Sequence, residues 1–179
     1  FNIVSGNATG VQIGGVANKV SGTVKGVQIS GVASHTRHHI EGVIITGVSS
    51  RAGGSMKGLQ ISGISNILDN HDTIPGRPID TVVIMKGMQL SGVANVVNGN
   101  SNGMQLAGVC NINHGDMKGV QLSGVCNIAK DMKGVQIGLI NIADTISGYS
   151  IGILNIVKKG YHALAISGNE LLTFNAAYK

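Results

Sequence analysis

Three histidines in one short segment form the densest group of potential metal ligands in the chain. His35, His38 and His39 lie within five residues, with Arg37 between them and Glu41 two residues after the last. Imidazole nitrogens bind transition metals, but protein sites usually complete the ligand set with cysteine or carboxylate at compact spacing. No such ligand stands at that spacing beside these histidines. We therefore predict a solvated loop and no metal site.

The carboxylates are too few and too scattered to predict a hydrolytic centre. A glycosidase needs two carboxylates at a defined separation, and a bound sugar usually needs polar and aromatic surfaces. Glu41 and Glu170 are the only glutamates, and aromatic residues make up 3% of the chain. We predict that the protein is not an enzyme, with no catalytic residues, no cofactor and no small-molecule substrate. A carbohydrate-binding or carbohydrate-active protein is the alternative.

A repeated segment organises nearly the whole chain. Gly26-Val-Gln-Ile-Ser-Gly-Val-Ala-Ser34 returns, for example, as Gly87-Met-Gln-Leu-Ser-Gly-Val-Ala-Asn95 and Gly119-Val-Gln-Leu-Ser-Gly-Val-Cys-Asn127. The step between opening glycines is 16 residues, apart from one of 29, one of 15 and one of 14. The opening glycines are Gly10, Gly26, Gly42, Gly58, Gly87, Gly103, Gly119, Gly134 and Gly148.

The repeat is too short for a helical hairpin and has strand periodicity. Apolar residues alternate with Gln inside each unit, and a second glycine permits a bend before the final Val and Asn. Two short strands and a return segment describe one coil, and parallel strand pairing stacks coils about 4.8 Å apart. We predict an all-β, single-domain β-solenoid, similar to a parallel β-helix, with about nine coils over residues 1–160.

Stacking would align equivalent side chains of successive coils into rows. We predict that the alternating apolar residues, beginning with Val11 and Ile13, form two ladders that make the core. The Gln row, beginning with Gln12, should then lie on the outer face as an amide ladder. The Asn row, beginning with Asn18, should cap the corners with hydrogen bonds from side chain to backbone.

Cys110 and Cys126 occupy equivalent places in adjacent coils, where other coils carry Ala or Ser. Stacking in register would put their Cα atoms about 4.8 Å apart, which a disulfide tolerates. A bridge between parallel neighbours also needs a specific dihedral angle. We expect two small residues in a small-residue position rather than a bridge.

A row of lysines immediately precedes the opening glycines, interrupted by Glu41 and Asn102. Such a basic stripe is suited to an anionic glycan or lipid, and lysine equally protects an exposed sheet edge. The row consists of Lys25, Lys57, Lys86, Lys118 and Lys133. We take Lys57, Lys86, Lys118 and Lys133 as candidate binding residues.

One insertion, residues 67–80, departs from the period and contains both prolines. Long insertions on repeat scaffolds often lie on a binding face, although a tolerated surface excursion explains this one equally well. The candidate partner-binding residues here are Asp69, His71, Asp72 and Arg77.

The overall charge and the tail set further limits. The net charge of +5 favours anionic neighbours, but three Arg and five Phe or Tyr are too few for a nucleic-acid binder. No apolar run reaches the length of a transmembrane helix. Residues 161–179 include an alternating segment that suits either a cap on the solenoid or the first strand of a following β-barrel domain.

The repeated Gly-Val-Gln-Ile-Ser-Gly-Val-x-Asn, the shortened Gly134-Val-Gln-Ile-Gly-Leu-Ile-Asn-Ile142 and the closing Gly160-Tyr-His-Ala-Leu-Ala-Ile-Ser-Gly-Asn-Glu-Leu-Leu172 carry a resemblance. Together they resemble the surface-repeat proteins of bacterial outer membranes, found in Bacteroidota and spirochaetes. The resemblance covers essentially the whole chain and implies a location in the outer membrane or at the cell surface. It transfers no catalytic or binding residue.

These observations together predict a non-enzymatic structural and interaction module of the cell envelope. Its rigid solenoid face would meet a partner protein or an envelope glycan, in association with the outer membrane. The regular scaffold, the single insertion and the lack of an assembled reactive site in the sequence motivate this hypothesis.

Overall fold

A computed structural model describes residues 1–69 and 83–159, together with a two-residue strand near the end of the chain. Its described residues form strands and no helix. The strands are β1 (Asn2–Val4), β2 (Ala8–Gly14), β3 (Ala17–Val20), β4 (Val24–Ser30), β5 (Ala33–Thr36), β6 (Ile40–Thr46), β7 (Ser49–Ala52), β8 (Met56–Ser62), β9 (Ser65–Leu68), β10 (Val83–Ser91), β11 (Ala94–Val97), β12 (Gly99–Ala107), β13 (Cys110–Asn113), β14 (Met117–Ser123), β15 (Cys126–Ile137), β16 (Ile140–Ile151), β17 (Leu154–Val157) and β18 (Phe174–Asn175).

The strands stack as the coils of a parallel β-solenoid. Each long strand pairs with the long strand of the next coil, as β4 does with β6, and each short strand pairs with the next short strand, as β5 does with β7. Equivalent repeat residues are register partners throughout, for example Gly26 and Gly42. The predicted fold, with about nine coils and a 16-residue repeat, is therefore confirmed.

One coil consists of a seven-residue strand, a glycine bend, a four-residue strand and a return segment. In the second coil these parts are β4, the bend at Gly31 and Val32, β5, and residues 37–39. In the last coils the return segments also pair, so that β15 and β16 each run through from a short strand into the following long strand. Two parallel sheets therefore face each other across a narrow interior.

The prediction about which side chains face inward was wrong. The Gln row lies inside, with Gln28, Gln60 and Gln105 fully buried. Val11 and Ile13 are 68% and 69% exposed, and their equivalents in later coils are half-buried or exposed on the outer surface. Alternation along a strand fixes that Gln and its two apolar neighbours point to opposite sides, but it does not fix which side is inside.

Polar side chains are stable in this interior because they hydrogen-bond to one another from coil to coil. The amide of Gln105 donates to Gln89 at 3.1 Å, and that of Gln121 donates to Gln105 at 2.8 Å. Asn95 donates to Asn111 at 3.0 Å. Since a buried amide is costly only when it lacks partners, these ladders remove most of the penalty of burying them.

The asparagine row also confirms the predicted corner hydrogen bonds. The amide of Asn111 donates to the backbone carbonyl of Leu122 in the next coil at 2.8 Å, and Asn95 reaches the carbonyl of Leu106 at 2.6 Å. Asn95 and Asn111 therefore each join two coils by both a ladder contact and a backbone contact.

The apolar part of the interior lies at the other end of the coil. It is built from the residue two places before each opening glycine and from the last residue of each short strand, joined by Ile44 at the Gln position of its coil. The central cluster contains Ile40, Ile44, Ala52, Met56, Leu68, Met85 and Val97. Each coil buries only a few of these side chains, so that the apolar core exists only when coils are stacked.

The opening glycines allow the coils to approach closely. Gly103 has a φ of +144°, and a Cβ placed on it would lie 1.9 Å from the carbonyl oxygen of Gly87 in the coil behind. Any side chain here would therefore both strain the backbone and collide with the preceding coil.

The predicted domain limits meet the described residues only in part. Strand β9 includes Ile67 and Leu68, which the sequence prediction had placed in the insertion 67–80, and residues 70–82 lie outside the described part of the chain. In the tail of residues 161–179 only β18 is described, and it pairs in parallel with β17. The role predicted for that tail, cap or start of a barrel domain, stays a prediction.

Candidate interaction surface

The solenoid has one uncharged side and one charged side. In every coil, the residues from the opening glycine to the position that usually holds the corner asparagine include no Lys, Arg, Asp or Glu. The charged residues of the repeats lie in the remaining positions, which are the end of the short strand, the return segment and the residue before the opening glycine. We call the outward side chains of the first group the uncharged face.

Most side chains on the uncharged face are aliphatic. In the second coil it consists of Val27, Ile29, Val32 and Ala33, and the strand register repeats these positions along the rod. Both sheets contribute, since Val27 and Ile29 belong to β4 and Ala33 belongs to β5. The face therefore runs around the bend that joins the two sheets.

A row of branched aliphatic side chains marks the bend itself. Each of them is between 37% and 57% exposed, although aliphatic residues in a repeat protein usually fill the interior. This corner stripe comprises Val16, Val32, Val48, Ile64, Val93, Val109, Val125, Leu139 and Ile153. Nine coils spaced about 4.8 Å apart give it a length of about 40 Å.

A column of exposed lysines borders the uncharged face. Lys25, Val27 and Ile29 alternate with inward residues on β4, so that all three project from the same side of the sheet. Strand register places the equivalent lysines in line. This lysine column comprises Lys25, Lys57, Lys86, Lys118 and Lys133, all of them exposed.

The lysine column has little acidic compensation within the described residues. Glu41 is the one carboxylate in register with it, and it pairs with Lys25 at 3.3 Å. Lys57 and Lys86 are direct register partners, as are Lys118 and Lys133. Neighbouring like charges leave a strip of positive potential that favours anionic partners.

A shallow depression of about 300 Å³ opens beside part of the lysine column. Its lining includes Lys57, Lys86, Glu41, His39 and Ile84. The ring nitrogen Nδ1 of His39 accepts a hydrogen bond from the backbone of Ser55 at 3.0 Å. The depression is open and combines both signs of charge, so it defines no specific ligand.

Of the candidate residues from the insertion, the structure describes Asp69, which lies away from the uncharged face. Asp69 follows the short strand β9, on the charged side, where it pairs with Arg51 at 2.9 Å and accepts a hydrogen bond from Asn98 at 3.1 Å. It therefore links three successive coils. His71, Asp72 and Arg77 lie outside the described residues.

One carboxyl on the charged side has a shifted pKa. A hydrogen bond from the hydroxyl of Thr145 lowers the pKa of Asp131 below its ordinary value of 3.8, and contributions from Asp116 and the nearby Lys130 act in the same direction. Asp131 and Thr145 are register partners on β15 and β16, so this contact joins two coils on the outside of the rod.

Cys110 and Cys126 form a disulfide, which corrects the expectation of two unbridged small residues. Their Cα atoms are 4.7 Å apart, and both side chains lie on the same side of the short-strand sheet next to the corner stripe. Stacking in register brings the two thiols together without any change of the backbone, since this separation lies within the usual range for a disulfide.

The described residues contain no group of three or more His, Cys, Asp or Glu placed to hold a metal ion. Across the ranges 1–69 and 83–159 there is also no helix with the length and apolar character needed to cross a membrane.

The outward, apolar character of the uncharged face is the feature that sequence reasoning missed, although the sequence carries a signal for its long-strand positions. Lys25, Val27 and Ile29 share one parity along the strand, and a lysine in this fold must point to solvent. The same parity places Val27 and Ile29 outside, and Gln28 inside.

Comparison of the chain with protein-family models, with curated proteins and with solved structures returned no match.

Proposed function

We propose that this chain is a non-enzymatic structural and interaction module of the bacterial cell envelope. Its uncharged face binds another component of the envelope, and the stacked coils keep that face straight and rigid. The envelope location rests on the sequence resemblance described above, and the binding role rests on the surface itself.

The observation that carries the proposal is the exposed corner stripe. A continuous row of exposed Val, Ile and Leu, without any charged residue on the adjoining strand positions, exceeds the scattered apolar exposure of an ordinary soluble surface. Large apolar patches of this kind typically mark binding surfaces. The buried ladders below add rigidity, which lowers the entropic cost of binding.

The face supports an apolar partner better than the glycan that was considered from the sequence. Sugar sites depend on polar groups with stacking aromatics, whereas the aromatic side chain described on this face is Tyr149 in the ninth coil. A carbohydrate-active role, the other class considered, gains no support from Glu41 or Asp69, because Glu41 is paired with Lys25, and Asp69 with Arg51.

Site-specific photocrosslinking in cells tests the proposal. A photoreactive residue would replace Val93 on the corner stripe, and a matched one would replace Lys130 on the charged side, in the full-length protein at its native locus. We expect crosslinked adducts from the first position and few from the second. Equal yields from both positions, or no adduct from Val93, would contradict a binding role for the uncharged face.

A further inference from the structure

The corner of the solenoid has the layout of a surface that inserts into a lipid interface. The corner stripe is its apex, with half-buried aliphatic residues on both sides, such as Leu106 on the long strand and Ile112 on the short strand. No charged side chain interrupts the long-strand side between the stripe and the lysine column. Interfacial amphipathic elements share this combination of an aliphatic surface and flanking cations.

The lysine column borders the apolar long-strand positions on the side away from the corner stripe. It is separated from the corner stripe by the two apolar positions exemplified by Val27 and Ile29, so that extended strand and bend together place the two rows roughly 15 to 20 Å apart. Lysine side chains extend along apolar surfaces while their ammonium groups stay in the polar layer. A corner buried by its aliphatic stripe would therefore leave Lys57, Lys86, Lys118 and Lys133 at the headgroups.

We propose that the corner stripe docks on the surface of an anionic lipid bilayer, with the lysine column at the lipid phosphates. This inference rests on the proposed function and names the partner of the same face. Charge complementarity favours lipid over a second copy, since the column has one register-aligned carboxylate, Glu41, and that carboxylate is already paired with Lys25. The binding energy is distributed over many coils rather than concentrated in one pocket.

Vesicle flotation with the full chain tests the inference. We expect binding to vesicles of phosphatidylcholine with 30% phosphatidylglycerol, and much weaker binding to phosphatidylcholine alone. The variant Lys86→Gln/Lys118→Gln/Lys133→Gln should lower the partition coefficient about fivefold for each lysine removed. Lys19→Gln/Arg37→Gln/Lys130→Gln is the matched control, since it removes equal charge from short-strand ends and return segments outside the lysine column and should change binding much less.

A second variant tests the stripe. Val93→Glu/Val125→Glu places two carboxylates on side chains that are 42% and 40% exposed, so that the fold should survive, which far-ultraviolet circular dichroism would verify. We expect it to abolish vesicle binding. Equal binding to neutral and anionic vesicles, equal losses in the two triple variants, or unchanged binding of the stripe variant would each overturn the proposal.

The outcomes also separate this inference from the proposed function. A folded wild-type chain that ignores both kinds of vesicle would overturn the lipid assignment. If Val93 still gave a specific protein adduct in cells, the proposed function would stand with a protein partner. Light scattering that showed a dimer lost in the stripe variant would assign the face to a second copy and likewise overturn the lipid assignment.

Discussion

The coils from Gly58 to Asn155 have complete asparagine ladders, whereas the two coils between Gly26 and Lys57 do not. In the complete region, amides donate in series from Asn66 through Asn95, Asn111, Asn127 and Asn141 to Asn155. In the interrupted region the same positions hold Ser34 and Ser50, and Ile44 occupies the Gln position. Both regions nevertheless have the same backbone register.

The interrupted region compensates for its missing amides with hydroxyl groups. Ser34 donates to the side-chain oxygen of Gln28, and Gln60 donates to the hydroxyl of Ser50 at 2.7 Å. Gln28 and Gln60, the glutamines on either side of Ile44, therefore each keep a hydrogen-bond partner although the ladder is broken between them. The compensation is incomplete at the boundary of the two regions, since the side-chain oxygen of Asn66 is buried without a hydrogen-bond partner. The comparison teaches that the backbone stacking is primary and that the ladders adapt to it.

The largest effect should come from the contact that both regions share. Gly103→Ala and Gly42→Ala each place a Cβ 1.9 Å from the carbonyl oxygen of the glycine behind, at a positive φ. We expect each to cost more than about 4 kcal/mol of unfolding free energy, or to prevent folding. Gly10→Ala is the control, because its φ is also positive but nothing lies within 4 Å of the added Cβ. Urea denaturation measures all three, and a clear difference between Gly42→Ala and Gly103→Ala would contradict a common backbone.

The next effect concerns one pair of positions that the two regions fill differently. The complete region has the Cys110–Cys126 disulfide, whereas at the equivalent place Ser49 of the interrupted region shares a hydrogen bond of 3.1 Å with Ser65, the first residue at that place in the complete region. Cys110→Ser/Cys126→Ser should lower the unfolding free energy by about 3 kcal/mol, because the crosslink no longer restricts the unfolded chain. Ser49→Cys/Ser65→Cys should oxidise to a bridge and raise stability. Failure of the second pair to oxidise would show that the backbones differ.

Substitutions that break the Gln ladder in the complete region, or complete it in the interrupted region, should have a smaller effect on stability. Gln105→Leu removes the donor to Gln89 and the acceptor of Gln121, and we expect a loss of about 2 kcal/mol. Ile44→Gln/Ser50→Asn should complete the Gln ladder and give Asn66 its missing donor, with a gain of about 1 kcal/mol. Thermal or urea unfolding checks both values. A destabilised double variant would mean that the interrupted region is packed specifically around Ile44.

The smallest effect lies on the outer surface of the complete region. Thr145→Val removes the hydrogen bond that lowers the pKa of Asp131, so the pKa should rise towards 3.8. A lowered folded-state pKa stabilises the fold above pH 3.8, and that contribution is lost as pH falls through the lowered value. The difference in stability between wild type and variant should therefore vanish in acid. Carbon NMR titration of Asp131 checks the shift, with Thr9→Val as the control.

The sequence was sufficient for the parts of the structure that depend on the period. The spacing of Gly87, Gly103 and Gly119 predicted the stacking, the parallel pairing and the register. Asn111 was correctly predicted to hydrogen-bond to backbone at a corner. These features follow because identical neighbours must meet identical neighbours when a repeat is stacked.

The sequence did not predict which face of each strand is buried, or which side chains bond to each other as pairs. The assumption that apolar residues fill the core placed Val11 inside and Gln12 outside, although Lys25 shares the parity of Val27. The disulfide was not expected, because spacing alone does not orient Cys110 towards Cys126. Ile44 replaces a Gln and Ser50 replaces an Asn in the same coil, and the hydroxyl of Ser50 accepts the hydrogen bond from Gln60 that the missing Gln would have accepted. A single sequence does not reveal that these two replacements act together.

The insertion has a consequence for how such a molecule changes length. Gly58 and Gly87 are register partners although 29 residues separate them, so that extra chain at a return segment does not disturb the rows on either side. Duplication of a single repeat in the gene would then add one coil and advance the surface by the 4.7 Å that separates Cys110 from Cys126. The length of the rod can therefore change during evolution in steps of one coil, while the residues of the uncharged face stay the same.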